Sequence, residues 1–289
     1  MNAYFTLQVF TIDLHKVKIV RTNTSSMSQE VRFDKTPLDS VLCKVSFPPI
    51  FSISEKAPAE FQSLIMKDYP IASRSNTPFP PPLGPQKLNL PGGYCFVAKD
   101  RMWEVSLADS FVSLASRTLT DRETCERCVG YTTWKDFSER LGKVLEALNK
   151  TYQIPFYEVT VLRYIDVFQR DKVYKTKLGW GKLITPPFLG MLALNILGVS
   201  ETGYISTSQV HLKDDLQAQI SIKNVVNTNT DKCKEYRERC LMLDSSVLCR
   251  TRTNKKDFKV LLNKMHDQSL QIFLNAVTPK MRELMKEVR

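Results

Sequence analysis

FYEVTVLRYIDVF, residues Phe156 to Phe168, is the stretch from which the fold can be read. Val159, Val161, Ile165 and Val167 alternate with Thr160, Leu162, Tyr164 and Phe168, a period of two in β-branched and aromatic residues that predicts a strand. Both faces are largely apolar, so the strand belongs in a sheet interior. Arg163 is the exception. It shares a face with Val161 and Ile165, where a guanidinium must be paired or reach the sheet margin.

Upstream of this strand, TPLDSVLCKVSFPPIF (36–51) predicts a first strand that Pro48 and Pro49 end. Pro58 opens a short helix carrying Phe61, Leu64 and Ile65. Residues 70–91 hold seven of the 15 prolines and read as an extended connector, a surface linker rather than a docking peptide for an aromatic groove. A meander of three strands follows: Tyr94 to Ala98, Met102 to Leu107 and Phe111 to Ala115. Thr133 and Asp136 then form a capping box for a helix striped with Trp134, Phe137, Leu141, Val144, Leu145 and Leu148.

Downstream, Thr185 and Pro186 start a helix whose PPFLGMLALNIL is apolar nearly all round. Tyr204 to Leu212 and Leu216 to Val226 predict a hairpin turning through KDD, and Leu241 to Cys249 a third strand. A long helix runs from about Asn254, and Thr278 with Pro279 begins a last turn or two.

Written as elements, residues 37–152 read β, α, β, β, β, α, and residues 156–288 read the same. The expected fold is therefore α+β: two pseudo-repeated halves with antiparallel sheets and helices packed on one face. That order resembles the duplicated fold of the TATA-box-binding protein. The expected organisation is an N-terminal extension over 1–35, either a mis-assigned start or a short added hairpin, a first half over 36–152, and a second half over 153–289.

The chain has 289 residues, of which 43% are hydrophobic, enough for a real core. Its 41 Lys and Arg against 30 Asp and Glu leave +11, which permits a nucleic-acid or anionic-lipid partner without demanding one. The excess concentrates beyond Asp231. Seven cysteines, an odd number, and no secretory signal point to free thiols in a reducing cytoplasm. Asp13, Lys16 and Lys18 interrupt the apolar N-terminal stretch, so no membrane span is expected.

FVAKDRMWEVSLADSFVSLASR, YTTWKDFSERLGKVLEAL, VTVLRYIDVF, CLMLDSSVL and HDQSLQIFLNAVTPKMRELM occur in that order between residues 36 and 285. Together with TPLDSVLCKVSFPPIF they resemble a sporadically distributed bacterial family of uncharacterised proteins. The resemblance implies a bacterial chain from mobile-element or defence gene neighbourhoods. It brings no agreed activity, cofactor or catalytic set. The inserted ETCERC and the N-terminal extension depart from the family pattern.

Candidate chemistry is sparse. Arg163, Asp166 and Asp244 are polar residues in apolar runs, and read either as a buried ion network or as contacts to an anionic ligand. Arg250, Arg252, Lys255 and Lys256 form a basic run that reads as a solvated cap or as a phosphate-binding stretch. Cys125 and Cys128 form a CxxC, and with Cys233 and Cys240 could surround zinc if their loops meet, although the second spacing is too long for a standard site. Cys43, Cys95 and Cys249 read as core residues. Only His15, His211 and His266 are available for histidine chemistry, and His211 and His266 read as surface or packing residues. No nucleophile elbow, zincin helix, phosphate loop or dinucleotide fingerprint is present.

These observations point to a non-enzymatic binding or accessory protein without cofactor, meeting another protein through its sheet surface. A nucleic-acid-binding module with a basic C-terminal face is the first alternative, and an enzyme of unrecognised type the second. No membrane partner is expected, and the sequence leaves the oligomeric state open.

Overall fold

The computed structural model describes residues 31–55, 58–75, 93–120, 127–194, 204–229 and 236–288. The first half comprises β1 (Arg32–Phe33), β2 (Leu38–Ser46), α1 (Phe51–Glu55), α2 (Ala59–Ile65), β3 (Ile71–Ser75), β4 (Gly93–Val97), β5 (Trp103–Ala108), β6 (Phe111–Thr120), β7 (Arg127–Val129) and α3 (Trp134–Tyr152). Next come β8 (Val159–Phe168), three single-turn helices, α4 (Trp180–Leu183), α5 (Pro186–Leu189) and α6 (Met191–Leu194), and then β9 (Ile205–His211), β10 (Leu216–Asn229) and β11 (Tyr236–Cys249). α7 (Phe258–Ala276), α8 (Pro279–Met285) and β12 (Glu287–Val288) close the chain.

Ten strands make one sheet. Nine run in the order β3-β4-β5-β6-β2-β8-β11-β10-β9, and β7 branches from β6. Every pairing is antiparallel. β8 is thus interior, as its two apolar faces require, with β2 on one side and β11 on the other. β1 and β12 form a separate two-stranded pair.

Because side chains alternate along a strand, the registers sort every residue to one of two faces. Val41, Cys43 and Val45 of β2, Leu162 of β8, Val112 and Leu114 of β6, and Val247 of β11 share one face and one apolar cluster. α2 adds Phe61 and Ile65 to that cluster, α3 adds Phe137, Leu141, Val144 and Leu148, and α7 adds Phe258, Leu262 and Met265. A second cluster on the same face joins Phe168, Leu241 and Leu243 to Trp180, Leu183, Met281 and Met285. Each fully buried Leu or Phe here contributes roughly 1.5–3 kcal/mol of transfer free energy. Leu42, Ala115 and Ile165 are buried on the opposite face and belong to neither cluster.

Local chemistry explains the element ends. The Thr133 Oγ1 accepts from the Asp136 N–H at 3.0 Å, as the capping box predicts. The Asp136 carboxylate turns forward instead, taking the Arg140 Nε at 3.0 Å. Thr278 caps α8 in the same way, accepting from the Met281 N–H at 3.2 Å. Asp214 and Asp215 take φ of 58° and 57° in the KDD turn, a left-handed pair that a two-stranded hairpin favours.

Two expectations need correction. The apolar stretch after Thr185 is not one helix. It breaks at Gly190, whose φ is +54° and where an added Cβ would lie 2.8 Å from the Tyr204 hydroxyl. That hydroxyl donates to the Leu189 carbonyl at 2.7 Å, satisfying a helix-end acceptor that a continued helix would have used. The proline-rich connector likewise begins as strand. Residues 71–75 pair with β4, and 76–92 lie outside the described residues. The expected N-terminal extension lies outside them as far as residue 30, while Arg32 and Phe33 form β1.

Candidate functional site

Arg163 stands on the face that no described helix covers, the helix-free face, where Val161 and Ile165 flank it. The β8–β11 register sets Asp244 opposite Ile165 and Ser246 opposite Arg163, so Asp244 is the diagonal neighbour of Arg163 on the same face. The guanidinium grips the carboxylate with both arms, Nε to Oδ1 at 2.8 Å and an Nη to Oδ2 at 2.7 Å. Asp244 is 0% exposed and Arg163 8%. Lys223 of β10 adds a second cation, its Nζ 3.8 Å from Oδ2. Beside them the Ser221 and Thr207 hydroxyls are hydrogen-bonded at 3.0 Å.

The other wing of the same face carries a parallel arrangement that sequence reading overlooked. Glu104 of β5 pairs with Arg117 of β6, and Ser106 donates to the Glu104 carboxylate at 3.3 Å. Cys95, on β4, lies beside this pair. Burial first, then the Glu104 carboxylate, pushes its thiol up to about 12. A charged residue inside the buried strand WEVSLA is the same signal that drew attention to Arg163. Between the two pairs, at the junction of β2 and β8, the Lys44 ammonium sits 4.2 Å from the centre of the Phe111 ring. Burial lowers its pKa from lysine's ordinary value. The face therefore presents Lys44, Arg117, Arg163 and Lys223 against Glu104 and Asp244, in a field of Ser40, Ser113, Gln217 and Gln219.

Asp166 does not join this network. Three residues beyond Arg163 on a strand, it points to the opposite, helix-covered face. There it lines a cavity of about 240 Å³ under α7, together with Tyr131, Tyr164, His266, Ser269 and Phe273. The Tyr164 hydroxyl is 2.9 Å from the His266 Nδ1, and the His266 ring lies flat on Trp134, centroids 4.2 Å apart and planes within 4°. Burial, and next the neighbouring Tyr131, raises the Tyr164 phenol well above its ordinary value. Tyr164 and His266 are 102 residues apart, and no local pattern in the sequence joins them.

The basic run is exposed at all four predicted positions, Arg250, Arg252, Lys255 and Lys256. Two of them have internal contacts. The Arg250 Nε reaches the Gln217 Oε1 at 3.4 Å, which joins the run to the helix-free face, and Arg252 lies over the Phe156 ring at 4.6 Å. Cys128 is exposed on β7 and Cys240 buried on β11, while Cys125 and Cys233 lie outside the described residues. Among the described residues no three His, Cys, Asp or Glu are grouped to hold a metal ion, and no helix is long and apolar enough to cross a membrane.

No family model matches the chain, and neither does any curated protein or any solved structure compared with it.

Proposed function

We propose that this chain is a non-enzymatic binding protein, an accessory component that recognises an acidic surface of another protein on the helix-free face of its sheet. The observation that carries this reading is the chemistry of that face. Among the described side chains, its carboxylates Glu104 and Asp244 are matched by Arg117 and Arg163, and with Lys223 also beside Asp244 and Lys44 nearby these groups carry a net positive charge among hydroxyl and amide groups. Matched ion pairs cost little further desolvation on docking, and surplus cations steer an acidic partner.

The same proposal takes the fold as a duplication of the TATA-binding-protein kind. In its support, β2 and β8 pair at the centre, each flanked by the last strand of its own meander, β6 or β11, and in each half a 19-residue helix, α3 or α7, follows the meander. The first half then carries β3 as an additional edge strand. Fold likeness by itself assigns no ligand.

Nucleic acid is the second reading, favoured by the junction of Arg250 with Gln217, which makes the basic run continuous with the sheet face. Affinity purification from the protein's own cells, with and without nuclease, separates the two. The protein-partner reading expects a nuclease-resistant partner that Lys44→Glu with Lys223→Glu releases and an exposed helix-side change, Lys135→Glu, does not. Capture indifferent to the sheet-face change overturns it. Loss on nuclease treatment, with binding that falls steeply with salt and with Arg250→Glu, replaces it by the nucleic-acid reading.

A further inference from the structure

β9 closes one edge of the large sheet, and among the described residues no strand pairs with its outer side. Its seven residues, Ile205–His211, read ISTSQVH, and all but Ser206 are exposed. Ile205 is 67% exposed and Val210 42%, one on each face of the sheet.

An open edge is a template for another strand, and proteins guard it with charge, proline, a bulge or brevity. β3, at the far edge, is guarded in this way. It has five residues, carries Arg74, follows Pro70 and leads in sequence to the proline-rich stretch. β9 has none of these devices. It contains no Lys, Arg, Asp, Glu or Pro, and its register with β10 runs without a shift.

The ladder fixes which backbone groups point outward. At one end of β9 the Tyr204 carbonyl accepts from the Asn224 N–H at 3.1 Å, and at the other the Leu212 N–H donates to the Leu216 carbonyl at 2.8 Å. Hydrogen-bonded pairs alternate along an antiparallel ladder, so Ser206, Ser208 and Val210 also turn their backbone groups toward β10. Ile205, Thr207, Gln209 and His211 turn theirs outward, where an added extended strand would meet them.

This edge is its own complement. Two copies of β9 running antiparallel about a two-fold axis at Ser208 pair Ile205 with His211 and Thr207 with Gln209. Each such pair exchanges both of its hydrogen bonds, and no other centre on the strand engages every outward group. On the helix-covered side, Ser208 meets Ser208 of the second copy and Ser206 meets Val210. No like charges oppose one another in this register, because the strand carries none.

We propose that β9 is a homodimer interface, at which two copies of the chain join edge to edge through Ile205–His211 into one continuous sheet. The strands run antiparallel with Ser208 on the two-fold axis. That axis stands normal to the sheet, so the helix-free faces of both copies lie on the same side. Seven residues from each copy make a small contact. It falls below the roughly 1,200 Å² of a standard interface, and the dimer forms with a Kd of roughly 1–100 μM.

Sedimentation velocity of the full-length chain between about 1 and 300 μM tests this. The coefficient rises from monomer to dimer and stops there. Ser208→Lys and Ser208→Glu each set like charges across the axis, where opposed Cα atoms lie roughly 4.5 Å apart, and each weakens association about tenfold or more. Mixing the two variants in equal amounts restores it. Gln209→Pro removes an outward N–H, spares the bonds to β10 and also leaves the chain monomeric. Thermal midpoints within a few degrees of the parent show that the variants fold, and if the proline variant does not, the exposed Ser208 changes decide.

A chain that stays monomeric throughout overturns the proposal. So does a dimer indifferent to the Ser208 changes, a mixture that fails to recover, or association that continues past the dimer. Dimerisation seen only after removal of residues 1–30 overturns it as well, and gives the edge to that segment.

Discussion

On the helix-covered side of the sheet, β2 presents Val41, Cys43 and Val45, each 0% exposed, to the apolar stripes of α2 and α3. On the other side the same strand presents Ser40, Leu42 and Lys44, with Ser113 and Ala115 of β6 beside them. No described helix adds to that second surface, yet Ser40, Ser113 and Ala115 are 3%, 2% and 2% exposed. Short side chains on a pleated sheet are covered by longer neighbours on adjoining strands, so an uncovered face is still a tightly packed one. The two faces differ less in burial than in what is buried. Carbon packs on carbon on one, and charge is matched by charge on the other.

The sharpest way to break this comparison is to leave one charge without its partner. Asp244→Ala strands the Arg163 guanidinium in a site 8% exposed, and should lower the free energy of unfolding in denaturant by about 3–5 kcal/mol. Arg163→Met combined with Asp244→Leu removes both charges and should recover most of that loss. If the double variant is as unstable as the single one, the pair matters for its geometry and not for its charge.

A smaller effect is expected at Lys44. Its pKa is lowered because burial disfavours the ammonium in the folded chain. Below the lowered pKa the lysine is charged whether folded or unfolded, and the whole desolvation penalty is present. As pH rises from that pKa toward lysine's ordinary value, the folded chain sheds its proton first and the penalty fades. Lys44→Met should therefore stabilise by under about 1 kcal/mol near neutral pH, with the gain shrinking in alkali. An effect of constant size across that range would place its origin in packing against Phe111.

The smallest expected signal is a near absence of reaction. Cys95 belongs to the helix-free face but is 8% exposed, and its thiol is pushed up to about 12. At pH 8 it should resist iodoacetamide while exposed Cys128 is alkylated, and react only once the chain unfolds. Peptide mass mapping after a timed pulse reads this directly. Equal labelling of Cys95 and Cys128 would show that the uncovered face opens readily to solvent.

Much of the secondary structure was legible because it depends on neighbours in sequence. The alternation in FYEVTVLRYIDVF, the Thr133 and Thr278 caps and the KDD turn are short-range, and each lies where the pattern predicts. The helix expected after Thr185 was not legible. Apolar periodicity continues through Gly190, and the approach of Tyr204, the residue before β9, goes with the break there. The site residues divide in the same way. Arg163 announces its need for a partner from within an apolar run, but grouping Asp166 with Asp244 ignored that a step of three along a strand reverses the face.

By itself, then, the sequence determined where most of the strands and helices lie, which positions are apolar, and that one guanidinium in the central strand had to be paired or reach the sheet margin. Only the tertiary structure decided that it is paired and with which carboxylate, because cross-strand register, a long-range property, made Asp244 the diagonal neighbour of Arg163. It also gathered the helices' apolar stripes on one face, left the ion pairs on the other, and brought Tyr164 to His266 across 102 residues. Contacts between segments so far apart are fixed by how the elements pack, and no local spacing in the chain records them.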